Sequence, residues 1–195
     1  MQKRRRSSSR TRRTARSAFR GDGLSALRRG LRQRASRLPN FDFAYVDAAL
    51  TILRTALEIR NYYVAAVLNQ VELTPARLGL LMALFLGERQ AMLASELGEL
   101  LVVTPGNITG LVDGLARDRL VRRVGDPGDR RAVLVELTEK GRRFVRWFAP
   151  IHFRVIGSLM SALSRSEARL LTRLLDEVRK QVRGTPPPTI TSRSF

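Results

Sequence analysis

The chain has 195 residues, 44% of them hydrophobic, and a formal net charge of +19. That length accommodates one domain with a substantial core plus a tail, and a strongly basic balance points to a polyanionic partner such as nucleic acid or an anionic membrane surface. There is no cysteine and one histidine, His152, which excludes disulfides, thiolate metal sites and a cysteine nucleophile and leaves no basis for a zinc site or a histidine-driven triad.

The charge is unevenly placed. Residues 1–38 hold 14 Lys or Arg and a single acid, Asp22, a net of +13, whereas the remainder of the chain carries a net of +6. This segment lacks enough apolar side chains to bury a core, so it is expected to be disordered, or partly helical around 24–38. As a basic arm it would add non-specific phosphate contacts to a DNA complex. A solvated tail, or a start codon assigned too far upstream, fits the same composition. The N-terminus has no apolar signal-peptide core, although its Arg- and Ser-rich, acid-poor character resembles an organellar transit peptide. The longest apolar runs, such as 78–86, fall far short of the roughly 20 residues of a membrane span. The expected location is cytoplasmic, with no membrane partner.

After Pro39-Asn40, residues 42–71 follow a helical period, with Phe43, Val46, Leu50, Leu53, Leu57 and Val64 at three- and four-residue steps. Thr74-Pro75 starts a second helix as N-cap and first helical residue, and Gly87 stops it. A third helix is expected at about 92–101. Thr104 caps a fourth over 104–117, again with proline in the first turn. Two β-type runs follow, 120–124 and 132–137, around a Gly- and Pro-bearing tip. Thr138, with Glu139 in the first turn, starts a long helix over 138–160 that Pro150 should kink or split. Ser164 and Glu167 form a capping box for a last helix reaching about residue 183, and residues 184–195 form a flexible tail.

Helices three and four fit a helix-turn-helix, packed by Leu97, Leu101, Val103, Ile108, Leu111, Val112 and Leu115. Thr104, Pro105, Gly106, Asn107, Thr109 and Gly110 then lie in the N-terminal half of the fourth helix, the part of a recognition helix that reaches base edges. Asn107 has the donor and acceptor an adenine edge needs, and Thr104 and Thr109 suit phosphate or a thymine methyl. For Thr104, plain helix capping explains the residue equally well. At the hairpin tip, Arg130 is expected to enter the electronegative minor groove, while Asp126, Asp129 and Arg131 hold the tip in shape by pairing. A helix followed by a basic hairpin is a winged helix. The expected fold is therefore mainly α with a small β-hairpin wing. A winged helix-turn-helix DNA-binding lobe occupies about 75–137, within a domain of 42–183 that also holds N- and C-terminal helices at about 42–71 and 139–183. Leu163, Leu170, Leu171, Leu174, Leu175 and Val178 stripe the last helix and need burial, which a homodimer provides.

Three blocks, LTPARLGLLMAL, VTPGNITGLVDGL and LVRRVGDPGDRRAVLVELTEKG, in this order and spacing, resemble the MarR family of bacterial transcription regulators. The resemblance spans about residues 42–183. It implies a homodimer joined by the terminal helices, two winged helices on a palindromic double-stranded DNA operator, and repression relieved by a small aromatic or phenolic ligand. Tyr45, Tyr62, Tyr63, Trp147 and His152 fall on the helices that would border such a pocket, although plain core is a sufficient reason for aromatic residues at helical spacing. A protein of this kind works in the bacterial cytoplasm, associated with the nucleoid.

Several positions depart from the family pattern. Gly110 and Gly114 stand where the family often has basic residues, and with Gly106 they strip one face of the fourth helix of side chains, each interior glycine costing up to about 1 kcal/mol. Val102 stands where a turn glycine is common, and Arg119 where the family usually has glycine before the first wing strand. DNA affinity is thus expected to rest on the wing and the basic arm. Two other classes compete with a specific regulator. One is a non-specific DNA-coating or RNA-binding protein driven by the arm. The other, an enzyme, has no support, because the chain offers no paired carboxylates, no phosphate loop, no activated nucleophile and no cofactor motif.

Overall fold

A computed structural model describes residues 23–39, 41–88, 91–125 and 133–188. The chain divides into two compact units, Met1–Ala65 and Ala66–Phe195. In the first unit, helix α1 (Gly23–Arg34) runs into a 3-10 turn, Ala35–Arg37, and is followed by α2 (Phe43–Ala66). The carboxylate of Asp42 accepts the Ala44 amide at 2.8 Å and so starts α2. The helical period expected as far as residue 71 ends at Ala66, and the chain tightens into a 3-10 turn at Leu68–Gln70.

The second unit holds α3 (Pro75–Leu86), β1 (Ala91–Leu93), α4 (Ala94–Leu101), α5 (Pro105–Arg117), β2 (Val121–Gly125), β3 (Val133–Leu137), α6 (Glu139–Leu159) and α7 (Arg165–Gly184). The Thr74 hydroxyl accepts the Arg77 amide at 3.2 Å and Pro75 occupies the first turn, the start that Thr-Pro encodes. Helix α3 buries Leu78, Leu80, Leu81, Met82 and Leu84 around most of its circumference, as a central helix must. It packs on α4, α6 and β3. Val135 of β3 with Val145 and Phe148 of α6 closes the core.

The sheet is antiparallel in the order β1-β3-β2. Met92 pairs with Val135 on one side of β3, and Arg123 pairs with Val135 on the other. The expected third helix therefore begins two residues late, at Ala94, because Ala91–Leu93 is taken up as an edge strand. The Glu96 carboxylate accepts the Leu93 amide at 2.9 Å and stitches that strand to α4. Pro150 does not split α6, which continues through it from Glu139 to Leu159. No helix among the described residues is long and apolar enough to cross a membrane.

Among the described residues, three other than glycine have left-handed backbone, Glu72 and Val102 at φ 54° and Arg119 at φ 59°. Val102 and Arg119 are the two positions where the sequence resemblance leads glycine to be expected, one in the turn between α4 and α5 and the other at the entry to the wing. A left-handed conformation brings Cβ against the carbonyl oxygen, and a β-branched valine suffers most. Val102 is also 87% exposed, so packing returns little for that strain. Val102→Gly is expected to stabilise the fold by about 1 kcal/mol, seen as a higher urea midpoint at unchanged slope. A lower midpoint would mean that the valine side chain contributes to the turn.

Candidate nucleic-acid interface

The turn and helix that would meet DNA are positioned from three sides. From below, Leu97 of α4 and Ile108, Val112 and Leu115 of α5 are buried against one another, with Leu101, Val103 and Leu111 half-buried beside them. The Val103 amide bonds the Gly98 carbonyl at 3.0 Å and closes the turn. This packing fixes which face of α5 looks outward. Thr104, Pro105, Gly106, Asn107, Thr109 and Gly110 are all exposed.

The C-terminal end of α5 is fixed by the start of α6. The Thr138 amide donates to the Leu120 carbonyl at 3.1 Å, and the Thr138 hydroxyl donates to the Arg119 carbonyl at 2.6 Å. That same hydroxyl accepts the Gly141 amide at 3.0 Å, so one side chain caps α6 and anchors the wing entry. Lys140 Nζ reaches the Asp118 carbonyl at 2.9 Å, and Asp118 in turn pairs with Arg77 of α3. Gly141 lies so close to this strand that a Cβ on it would stand 2.0 Å from the Leu120 oxygen. The sequence Thr138-Glu139-Lys140-Gly141 is thus a clamp joining recognition helix, wing and α6.

The third side is the wing. Arg123 of β2 pairs with Asp113 of α5 at 2.7 Å, and Arg122 pairs across the sheet with Glu136. The tip residues Asp126, Asp129, Arg130 and Arg131 lie outside the described residues.

Individual residues carry different chemistry from what sequence alone suggests. Thr104 occupies the N-cap of α5, but its side chain makes no capping hydrogen bond, which leaves its hydroxyl for another acceptor or donor. The Thr109 hydroxyl donates to the Pro105 carbonyl at 3.1 Å, so donation to a phosphate would require giving up that bond. Around Gly106, Gly110 and Gly114 an added Cβ would meet nothing within 4 Å, and that face of α5 is bare backbone open to solvent. The Asp118 hub and the Arg123–Asp113 pair were not evident from the sequence, because the partners come from separate elements and no spacing links them.

Of the aromatic residues expected near a ligand, Trp147 and His152 each lie against Phe148, at ring separations of 5.9 and 6.4 Å, in a run along α6 that also includes Phe144. Burial pushes the His152 pKa below its usual value. On α2, Tyr45 is 79% and Tyr62 46% exposed, whereas Tyr63 is buried. Gly141→Ala is expected to cost about 2–3 kcal/mol of stability, because the Leu120 carbonyl cannot retreat without opening the sheet. A thermal or urea melt equal to the parent's would show that the clamp yields.

Residues 71–132 match the family model described as MarR family. The chain is similar to the HTH-type transcriptional repressor YetL of Bacillus subtilis (strain 168), 34% identical over 106 residues that make up 54% of this chain and 64% of YetL. It thus spans a little under two thirds of that relative's length. Among solved structures it resembles AbsC, a MarR family transcriptional regulator from Streptomyces coelicolor, with a TM-score of 0.63 at 24% identity, covering 71% of this chain and 97% of AbsC. It also resembles S. aureus MepR in its DNA complex, with a TM-score of 0.61 at 21% identity over 73% of this chain and 99% of MepR. The stretch 71–132 thus matches a MarR family region, and the wing and clamped helix around it share the fold of the solved MarR family regulators that the chain resembles.

Proposed function

We propose that the chain is a sequence-specific DNA-binding transcription regulator, a repressor, that acts as a homodimer on a palindromic operator in the bacterial cytoplasm. The observation that carries this reading is the exposed N-terminal half of α5, held rigid by helix packing on one side and by the Thr138–Gly141 clamp on the other. A preorganised helix end of this kind is what major-groove reading requires. The family model and the relatives that the chain matches are those of transcription regulators. Asn107 is the proposed base reader, with Thr104, Pro105, Gly106 and Thr109 beside it. Arg130 is assigned to the minor groove, and Asp126, Asp129 and Arg131 to the shape of the tip.

The homodimer is supported by α7. This helix buries no residue, and Leu170, Leu171, Leu174 and Val178 are 39–56% exposed along one stripe. Apolar area arranged in this way is stable in water only when covered. A second copy of the same helix covers it with two-fold symmetry, which sets half-sites about 10 bp apart. A small aromatic or phenolic effector is supported by the Phe144, Trp147, Phe148 and His152 run on α6.

The bare glycine face of α5 favours a second reading, a protein that coats nucleic acid without sequence preference. Fluorescence anisotropy separates the two. Upstream intergenic DNA of the chain's own gene is expected to bind at least about 10³-fold tighter than a scrambled duplex. Asn107→Ala should weaken the upstream complex about 10- to 100-fold and leave the scrambled one nearly unchanged, whereas Arg130→Ala, which removes a cation, should weaken both. Equal binding of both duplexes establishes the coating protein instead. In sedimentation velocity, Leu174→Asp is expected to turn a dimer into a monomer; a parent chain that is itself monomeric would remove the palindrome.

A further inference from the structure

The lobe that carries the recognition helix has no net charge. Residues 75–137 hold eight arginines and eight acidic residues. Within it Arg77, Arg122 and Arg123 are each engaged by an acid, Asp118, Glu136 and Asp113 in turn. Duplex DNA is bound chiefly through its phosphates, and affinity follows the number of cations that displace its counterions. A neutral lobe therefore needs its cations from elsewhere in the chain.

They are concentrated in residues 1–38, with a net of +13 and no counterpart in the matched family stretch. The described part of this segment is built onto the first unit. Arg28 Nε pairs with Asp47 of α2 at 2.5 Å, and its Nη2 donates to the Thr51 hydroxyl at 2.8 Å. One turn later, the Arg32 guanidinium stands 4.6 Å from the ring centre of Phe43. Each such contact is worth little alone at a partly exposed site. Together, one turn apart on α1, they set the register of the helix on α2. Arg29, Arg34 and Arg37 remain exposed.

We propose that α1 is a docked phosphate-binding element. Pinned to α2 by Arg28 and Arg32, it offers Arg29, Arg34 and Arg37 to the sugar–phosphate backbone of duplex DNA. Guanidinium groups suit this work because their paired donors match two phosphate oxygens. The contacts are independent of base sequence, so α1 supplies affinity and α5 supplies choice. This division rests on the DNA-binding reading given above.

Full-length protein titrated by anisotropy against the upstream and scrambled duplexes across a salt series tests it. Replacing Arg29, Arg34 and Arg37 together by Gln, three in each protomer of the dimer, is expected to reduce the slope of log K against log salt by about 5 units on both duplexes, near 0.9 per lost phosphate contact. The ratio of upstream to scrambled affinity should not move. Replacing the exposed Arg165, Arg169 and Arg173 of α7 by Gln removes the same charge and should leave the slope unchanged. Equal losses from both triple variants, or none from the first, overturn the proposal. Asp47→Asn raises the net charge yet should weaken binding, because it unpins α1; unchanged or tighter binding overturns the docked element. A single-stranded RNA that out-competes the duplex overturns it in favour of an RNA partner. If the parent shows no upstream preference while the α1 variant still flattens the slope, the regulator reading fails and this one stands. Circular dichroism melts matching the parent confirm that each variant is folded.

Discussion

The carbonyl of Leu120 is where the parts of the lobe meet. It accepts the Thr138 amide and lies against the Cα of Gly141. One residue earlier, the Arg119 carbonyl takes the Thr138 hydroxyl, and one before that, the Asp118 carbonyl takes Lys140. Three consecutive peptide units, leaving the recognition helix and entering the wing, are thus tied to the first turn of α6. Any residue with a Cβ at position 141 would hold the chains apart and lose these bonds together. The consequence is mechanical. Recognition helix, wing entry and α6 form one rigid piece, so a rotation of α6 is a rotation of the surface that α5 presents.

Such rigidity serves reading more than holding. The outward half of α5 offers short polar side chains and bare backbone, while Arg123 is matched with Asp113, which fixes the wing against the helix, and Arg122 with Glu136 across the sheet. Ion pairs used for shape contribute little free charge. On the proposed reading, base choice and phosphate attraction fall to different parts of the chain, a separation that the uneven charge of the sequence already suggests and the pairing of individual arginines sharpens.

Much of the fold was legible because local signals agreed with it. Thr74-Pro75, Thr138 and the Ser164–Glu167 box start helices at the expected residues, and the two wing strands lie within a residue of their predicted bounds. Strand β1 was not legible, since three residues show no period and their strand state comes only from pairing with β3. Pro150 removes one hydrogen bond, but on an exposed position of a helix held by Val145, Phe148 and Ala149 that loss does not end it. In the candidate interface, the exposed residues of α5 followed from the apolar pattern that buries its other face. What the Thr104 and Thr109 hydroxyls bond did not, because hydroxyl partners depend on local geometry that residue type leaves open. The docking of α1 was equally hidden, since Arg28 and Asp47 stand 19 residues apart with no pattern between them.

The left-handed backbone at Val102 and Arg119 has a consequence for how this lobe tolerates change. Every valine codon and every arginine codon lies a single base from a glycine codon, and glycine adopts this backbone without strain. Two latent stabilising substitutions therefore sit within immediate mutational reach, both in turns and neither in the buried core. A lineage carrying this chain is free to accept a damaging replacement among the buried leucines of α3 and recover the lost stability elsewhere. Strain at these turns is, in evolutionary terms, a reserve of robustness.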